Sequence, residues 1–444
     1  MFRLYILGFL GLVMGAQCAS CSTTLTLDHK SRIVDQSKDR ISGNLDIDPG
    51  SGQVSGQIQY SHLLTAEEIE NGMSFYIPID LEVGLVSGEL VGDFEIIKDT
   101  SSYIGKFLKT ISIELDGSTE PNTLINVSFE YNGTVDLRGF AQLDYPTEWV
   151  EVSANTLMLT PIPTDFPESR YTLRIKLPTD YQIVSPGQSL PGSEGETIVD
   201  SQDYIKGINF IFGKDLDIDH LNFRSTHTQL VSYKVSQSTK DRLGEMVGHT
   251  IDLYNHTFAV DQPRHLVTIA LRPSDEWDAS YAAGSNYFVT YDSQSDFYEN
   301  EQFYYATYAH EMAHFWWKEA DPLSNSNWLN EGFAEFSSLL ALKSFYGDEA
   351  FNAKIKYHEA ILDQVPEGVT LSNFERFGKY DQAMSYSAGA LLVYDIYREL
   401  GERAFYQFLA KTLESQIGST VDFIQFLKDS YSTDWVGRII MKIE

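Results

Sequence analysis

The strongest constraint on the fold is a change of hydrophobic period near residue 230. Before it, apolar and polar residues alternate, as in Gly56-Gln57-Ile58-Gln59-Tyr60, Ile111-Ser112-Ile113-Glu114-Leu115 and Tyr171-Thr172-Leu173-Arg174-Ile175. Side chains at period two fall on opposite faces of a strand, so these stretches predict half-buried strands. Clusters such as Asp48-Pro49-Gly50-Ser51-Gly52 supply the turns between them. After residue 230 the spacing becomes helical, first with Leu243, Met246, Val247, Ile251 and Leu253 over 239–254. A strand-like piece at 265–271 and a polar stretch follow. Further helices are expected over 301–317, 329–345, 350–362, 387–400, 403–413 and 421–431, with Gly401 ending one and Ser419-Thr420 capping the last. The chain therefore divides into an all-β domain over 22–230 and a mainly α domain over 231–444, an α+β multidomain protein. Its 444 residues suit two or three domains.

Residues 1–21 read as a targeting segment. Arg3 precedes an uncharged apolar run from Tyr5 to Ala16, which is short for a membrane span and suited to a signal-peptide core. Both cysteines of the chain follow it, Cys18 and Cys21. Two readings stay open: cleavage near Ala19, or a membrane tether through a lipidated Cys18 or Cys21. Either makes the protein exported, whether periplasmic, secreted or lipid-anchored at the cell envelope. No cysteine occurs after Cys21, so a metal in the folded body has to be held by His and carboxylate. The net charge of −31 disfavours nucleic acid as a partner, because the summed field repels phosphate.

Chemistry concentrates in Ala309-His310-Glu311-Met312-Ala313-His314. On a helix, His310 and His314 stand one turn apart on one face, so both imidazoles reach one ion, with Glu311 beside them as a general base. A catalytic zinc takes three protein ligands and leaves one position open. Glu331, in Trp328-Leu329-Asn330-Glu331-Gly332-Phe333-Ala334-Glu335, is the third ligand expected for one Zn2+ per chain. Glu335, one turn further, either fixes the tautomer of a ligand imidazole or is a solvated acid at a helix start.

His-Glu-x-x-His followed by Trp-Leu-Asn-Glu-Gly-Phe-Ala resembles the gluzincin aminopeptidases of the aminopeptidase N type. Further similarity lies in Ser42 to Asp48, in Asp136-Leu137-Arg138-Gly139-Phe140, in Tyr171 to Gly187 and in Leu253 to Phe258. The resemblance implies a saddle-like N-terminal β domain, a thermolysin-like catalytic domain and hydrolysis of peptide bonds. It also implies that Tyr386, in Tyr386-Ser387-Ala388-Gly389-Ala390, donates a hydrogen bond to the oxyanion.

Three departures from the family pattern stand out. Sixteen residues separate His314 from Glu331 where the family has 18. The segment nearest the exopeptidase motif Gly-x-Met-Glu-Asn contains Gly284, Ser285 and Asn286, with Ser285 in place of the glutamate that binds a substrate's free amine. Glu151 or Asp292 is the candidate replacement. The sequence also stops after the catalytic domain, which implies a more open cleft. These leave an aminopeptidase, an endopeptidase or oligopeptidase on the same scaffold, and a non-catalytic zinc-containing envelope binding protein as the competing readings.

Overall fold

Alternation in the first half is realised as strands whose buried and exposed residues interleave residue by residue. In Asp39–Asp48 and Gln53–Leu63, paired antiparallel, Ile41, Leu45, Ile47, Val54, Ile58 and Tyr60 face inward. The turn joining them closes because Asp48 accepts the Gly50 N–H at 3.0 Å and the Ser51 hydroxyl. Gly52 there has φ +70°, and a Cβ would stand 2.5 Å from the Val135 carbonyl, so a side chain is excluded twice over.

The structure is a computed structural model that describes residues 39–444 apart from 99–105, 117–118, 138–148, 154–156, 165–167, 194, 202–204, 224–225, 259–265, 274–278, 284–286, 293–299, 323 and 432–433. The targeting segment with Cys18 and Cys21, the segment Arg138-Gly139-Phe140, and Gly284, Ser285 and Asn286 lie outside the described residues.

Two compact units result, divided between Leu216 and Asp217. In the first, an eight-stranded sheet is centred on Asp39–Asp48, which runs parallel to Glu168–Lys176 on one side and antiparallel to Gln53–Leu63 on the other. A four-stranded sheet carries Met73–Pro78 and Leu108–Leu115 at its middle, and a three-stranded sheet has Phe210–Gly213 between Gln182–Val184 and Trp149–Val152. Phe75, Phe129, Tyr171 and Phe210 are fully buried in this unit's core; each such side chain contributes roughly 2–3 kcal/mol by leaving water. A short helix, Ala66–Asn71, interrupts the strands. Thr65 and Glu68 form a capping box there, which a search for apolar periodicity does not register.

In the second unit the strands Asp217–Phe223 and Thr226–Ser232 pair and extend a five-stranded sheet through Leu266–Pro273, Tyr287–Asp292 and Ala279–Ala283. The change of unit thus precedes the change of period at 230, because this sheet opens the helical unit. The last two strands occupy the stretch read from sequence as merely polar. The helix Gln237–Phe258 buries Leu243, Met246, Val247, Ile251 and Tyr254 along one stripe. Helices follow at Glu301–Ala313, Trp328–Tyr346, Asp348–Leu362, Gly389–Leu400, Glu402–Glu414, Thr420–Ser430 and Asp434–Ile443. Among the described residues, no helix is long and apolar enough to cross a membrane.

Candidate metal centre

The helix Glu301–Ala313 is held by its buried face, where Tyr305, Tyr308, Ala309 and Met312 are fully enclosed. Tyr254 donates its hydroxyl to the Ala309 carbonyl at 2.8 Å, one residue before His310. The helix ends earlier than its apolar pattern suggests. His314 is the capping residue, still with helical φ −62° and ψ −12°, and Phe315 and Trp316 turn away through tighter bonds to Met312 and Ala313. Because His314 keeps helical dihedrals, the one-turn spacing of the two imidazoles survives the early termination.

Glu331 arrives on the helix Trp328–Tyr346. Asn330, buried beside it, donates to the Ala320 carbonyl at 2.8 Å and accepts the Ala320 N–H at 3.1 Å. This reciprocal pair ties the turn after the histidines to the start of the glutamate helix, so the shortened spacer still delivers the carboxylate. Asn327 donates to Glu331 Oε1 at 3.2 Å and fixes the side chain's rotation.

His310 Nε2 and His314 Nε2 lie 3.1 Å apart, and Glu331 Oε2 lies 3.3 and 3.4 Å from them. Both remaining ring nitrogens are committed. His310 Nδ1 donates to Glu335 Oε2 at 2.8 Å, and His314 Nδ1 donates to the Trp317 carbonyl at 3.1 Å. With hydrogens on both Nδ1 atoms, the two Nε2 atoms present lone pairs to each other and to a carboxylate oxygen. Three lone pairs meeting at this range repel unless a cation lies among them. Ligands at about 2.0–2.1 Å around a tetrahedral zinc are separated by about 3.3–3.4 Å, close to the spacing observed. Glu331 Oε2 is buried and, among the described residues, accepts no hydrogen bond, consistent with a ligand atom. The residues present therefore fit Zn2+. Among the described residues, this is the one group of three His, Cys, Asp or Glu ligand atoms close enough to share an ion.

Electrostatics at the site agree. Burial disfavours a charged His310, but Glu331 and Glu335 outweigh it and hold its pKa at about 10. Burial likewise opposes ionisation of the two carboxylates, yet His314 and His310 keep Glu331, and Lys354, His310 and His358 keep Glu335, well below the usual range. The pocket is thus anionic and calls for positive charge. Burial lowers the pKa of both His310 and His314 while Glu331 raises it, and Glu311, half-buried on the histidine helix, adds a weaker upward push to each.

Tyr386 joins this cluster. Its ring stacks on His310 with centroids 5.4 Å apart and planes 15° from parallel. Burial, then Glu331 and Glu311, push its phenol far above the ordinary value, so it stays protonated. It lies in a single π-turn, Ala383–Ala388, rather than just ahead of a regular helix. Asp381 organises the start of that turn, accepting from Ser385 Oγ at 3.0 Å, from the Phe377 N–H at 3.1 Å and from Arg376. Immediately after the turn, Gly389 meets Gly332 backbone to backbone: a Cβ on Gly332 would stand 2.6 Å from Gly389 Cα. The neighbour of the carboxylate ligand and the end of the tyrosine turn are therefore pressed together.

His310, Glu311, His314, Glu331, Glu335 and Tyr386 all belong to the second unit, where shared contacts and mutual charge effects bring them together. Glu151 is a residue of the first unit, buried in Trp149–Val152 opposite Ile211. The roles of Asn327, Asn330, Gly332 and Gly389 escape a reading of the sequence by residue type; only the Asn-Glu-Gly context around Glu331 hinted at them.

Comparison with known proteins adds an independent line. Residues 275–441 match the Peptidase family M1 domain. Over 453 aligned residues, the chain is 21% identical to Aminopeptidase 2 of Candida albicans, covering 93% of this chain and 48% of that protein. It is 28% identical to Aminopeptidase M1 of Arabidopsis thaliana over 37% of this chain and 20% of that one. The chain thus spans about half the length of the first of these relatives, and less of the second. In fold, it is similar to an M1 zinc metallopeptidase from Deinococcus radiodurans, with a TM-score of 0.66 at 16% identity over 92% of this chain and 95% of that one. A mutant of the Deinococcus enzyme, equally similar, was solved bound to a Tyr-Ser-Ala substrate. Family match, ligand geometry and motif agree: residues 275–441, which match the Peptidase family M1 domain, are the ones that carry the His310, His314 and Glu331 ligand group.

Proposed function

We propose that the protein is a zinc-dependent peptidase that hydrolyses peptide bonds in the manner of an aminopeptidase. The observation that carries this reading is the convergence of His310 Nε2, His314 Nε2 and Glu331 Oε2, with both Nδ1 atoms already engaged. Zinc held by these three residues supplies Lewis acidity and lowers the pKa of water toward neutrality. Glu311 acts as the general base, accepting the proton of the attacking water and returning it to the leaving amine. Tyr386 donates its hydroxyl hydrogen to the carbonyl oxygen as negative charge develops there, a role that its raised pKa suits because the donor hydrogen is retained. Glu335 holds His310 in the tautomer whose Nε2 is free for the metal.

Ser285 in place of an amine-binding glutamate favours a second reading, cleavage within peptides rather than from a free N-terminus. The binding of Tyr-Ser-Ala by the Deinococcus relative supports the aminopeptidase reading. Metal analysis of the purified protein, combined with assays on Tyr-Ser-Ala and its N-acetylated form, tests both. Zinc near one per chain with hydrolysis of the free peptide alone supports the aminopeptidase. Equal hydrolysis of both supports the endopeptidase, and zinc without hydrolysis of any peptide would leave a non-catalytic binding protein. The charged start and apolar run of residues 1–16 support export, with Cys18 or Cys21 as the proposed lipid attachment point; the mass of the mature N-terminus decides between cleavage and acylation.

A further inference from the structure

Behind the metal site lies a second buried histidine that the hydrolytic scheme does not use. His358, on the helix Asp348–Leu362, is 2% exposed. Its Nε2 faces Glu335 Oε1 at 3.0 Å, and its Nδ1 is 3.0 Å from Ser387 Oγ. Glu335 places its other oxygen on His310, and Ser387 is the residue after Tyr386 inside the π-turn. One imidazole therefore touches both halves of the site: the carboxylate that orients a metal ligand, and the turn that carries the phenol.

We propose that His358 is a positioning residue that couples the zinc ligand His310 to the tyrosine turn. Glu335 is a buried carboxylate whose Oε1, among the described residues, otherwise has Lys354 Nζ at 3.6 Å as its ion-pair partner. A ring nitrogen packed 3.0 Å from Oε1, in a ring that is itself fully buried, limits how far the carboxylate's oxygens swing. Oε2 is thereby held against His310 Nδ1, and the outer partner of a metal-binding imidazole sets both its orientation and its basicity. On the other side of the ring, Nδ1 and the Ser387 hydroxyl are hydrogen-bonded at 3.0 Å. That bond pins the π-turn, a backbone arrangement with poorer intrinsic stability than an α-turn. The inference rests on the hydrolytic reading only for its tyrosine half, since the metal half concerns affinity.

The test compares three substitutions in the full-length protein, with folding checked by circular dichroism, zinc affinity by competition with a chromogenic chelator, and kcat and KM on a free-amine peptide. His358→Ala is expected to lose tenfold or more in zinc affinity, in the range of about 10–100-fold seen for such outer partners. His358→Gln places an amide nitrogen near the Nε2 position and is expected to recover most of that affinity while kcat stays low. Ser387→Ala is expected to bind zinc as the unaltered protein does, with kcat several-fold lower and KM little changed. A merely structural role would lower the melting temperature without this split between zinc and kcat. If His358→Ala does not fold, the glutamine and Ser387 variants decide. Wild-type kcat in Ser387→Ala, or zinc affinity in folded His358→Gln that falls as far as tenfold, would overturn the proposal. Turnover that persists in Glu311→Gln would overturn the hydrolytic reading instead, leaving the zinc comparison intact.

Discussion

His62 in the first unit and His310 in the second are both held near a pKa of about 10 by two carboxylates each, against the opposing effect of burial, yet they are built for different cations. His62 has a carboxylate on either side of its ring, Asp39 Oδ1 at 2.6 Å from Nδ1 and Glu68 Oε2 at 2.9 Å from Nε2. Each nitrogen carries a hydrogen to its own acceptor, and a single proton completes the arrangement. His310 has one such partner, Glu335, and turns its other nitrogen toward a second imidazole and a carboxylate already shared with it. A proton there satisfies one lone pair and leaves another opposed to it. The difference lies in the count of lone pairs meeting at one point, and it separates a charged structural histidine from a metal ligand without reference to motif.

Several substitutions would break or sharpen this contrast. Glu311→Gln should retain zinc and lower kcat by about 10³-fold, within the range for a positioned general base; unchanged turnover in a zinc-loaded variant would remove Glu311 from the chemistry. Tyr386→Phe should reduce kcat by about 10²-fold with KM moving far less, since the lost hydrogen bond strengthens only as charge develops. His62→Gln should leave zinc content and kcat alone while lowering the unfolding midpoint of the first unit by on the order of 5 °C. Its pH dependence has a definite sign. Burial alone would lower the folded-state pKa of His62, but its bonds to Asp39 and Glu68 prevail and raise it from 6.5 to about 10. Its stabilising contribution is therefore complete below pH 6.5 and fades as pH rises toward 10. Thermal unfolding followed from about pH 6 to 10 should show that decline in the unaltered protein and a flatter profile in His62→Gln; identical profiles would show that the cluster holds no proton of consequence.

Much of the second unit was legible because helical arithmetic is local. His310 and His314 are four residues apart, and Glu331 and Glu335 repeat that interval, so one turn of helix explains each pair. The His62 cluster was not legible, because Asp39 reaches it only through strand pairing, and the pairing register is not written in either segment alone. The π-turn at Tyr386 escaped for a related reason: residues 383–388 end at Gly389, which packs against Gly332, far away in sequence. The last helix, Asp434–Ile443, does bury Trp435, Val436, Ile439 and Ile443 at helical spacing, but so short a run offers little periodicity to measure. Strands at 279–283 and 287–292 were hidden among polar and aromatic residues, where neither period dominates.

The bare crossing at Gly332 and Gly389 has a consequence for motion. With no side chain between them, the two backbones have no soft layer to compress, so the carboxylate ligand and the phenol cannot drift independently. Breathing that admits a substrate has to be taken up elsewhere in the unit, while this junction travels as one rigid block. A single methyl inserted at either glycine would act as a wedge, and a shift of even an ångström between an electrophilic catalyst and its hydrogen-bonding partner is enough to cost about a hundredfold in rate.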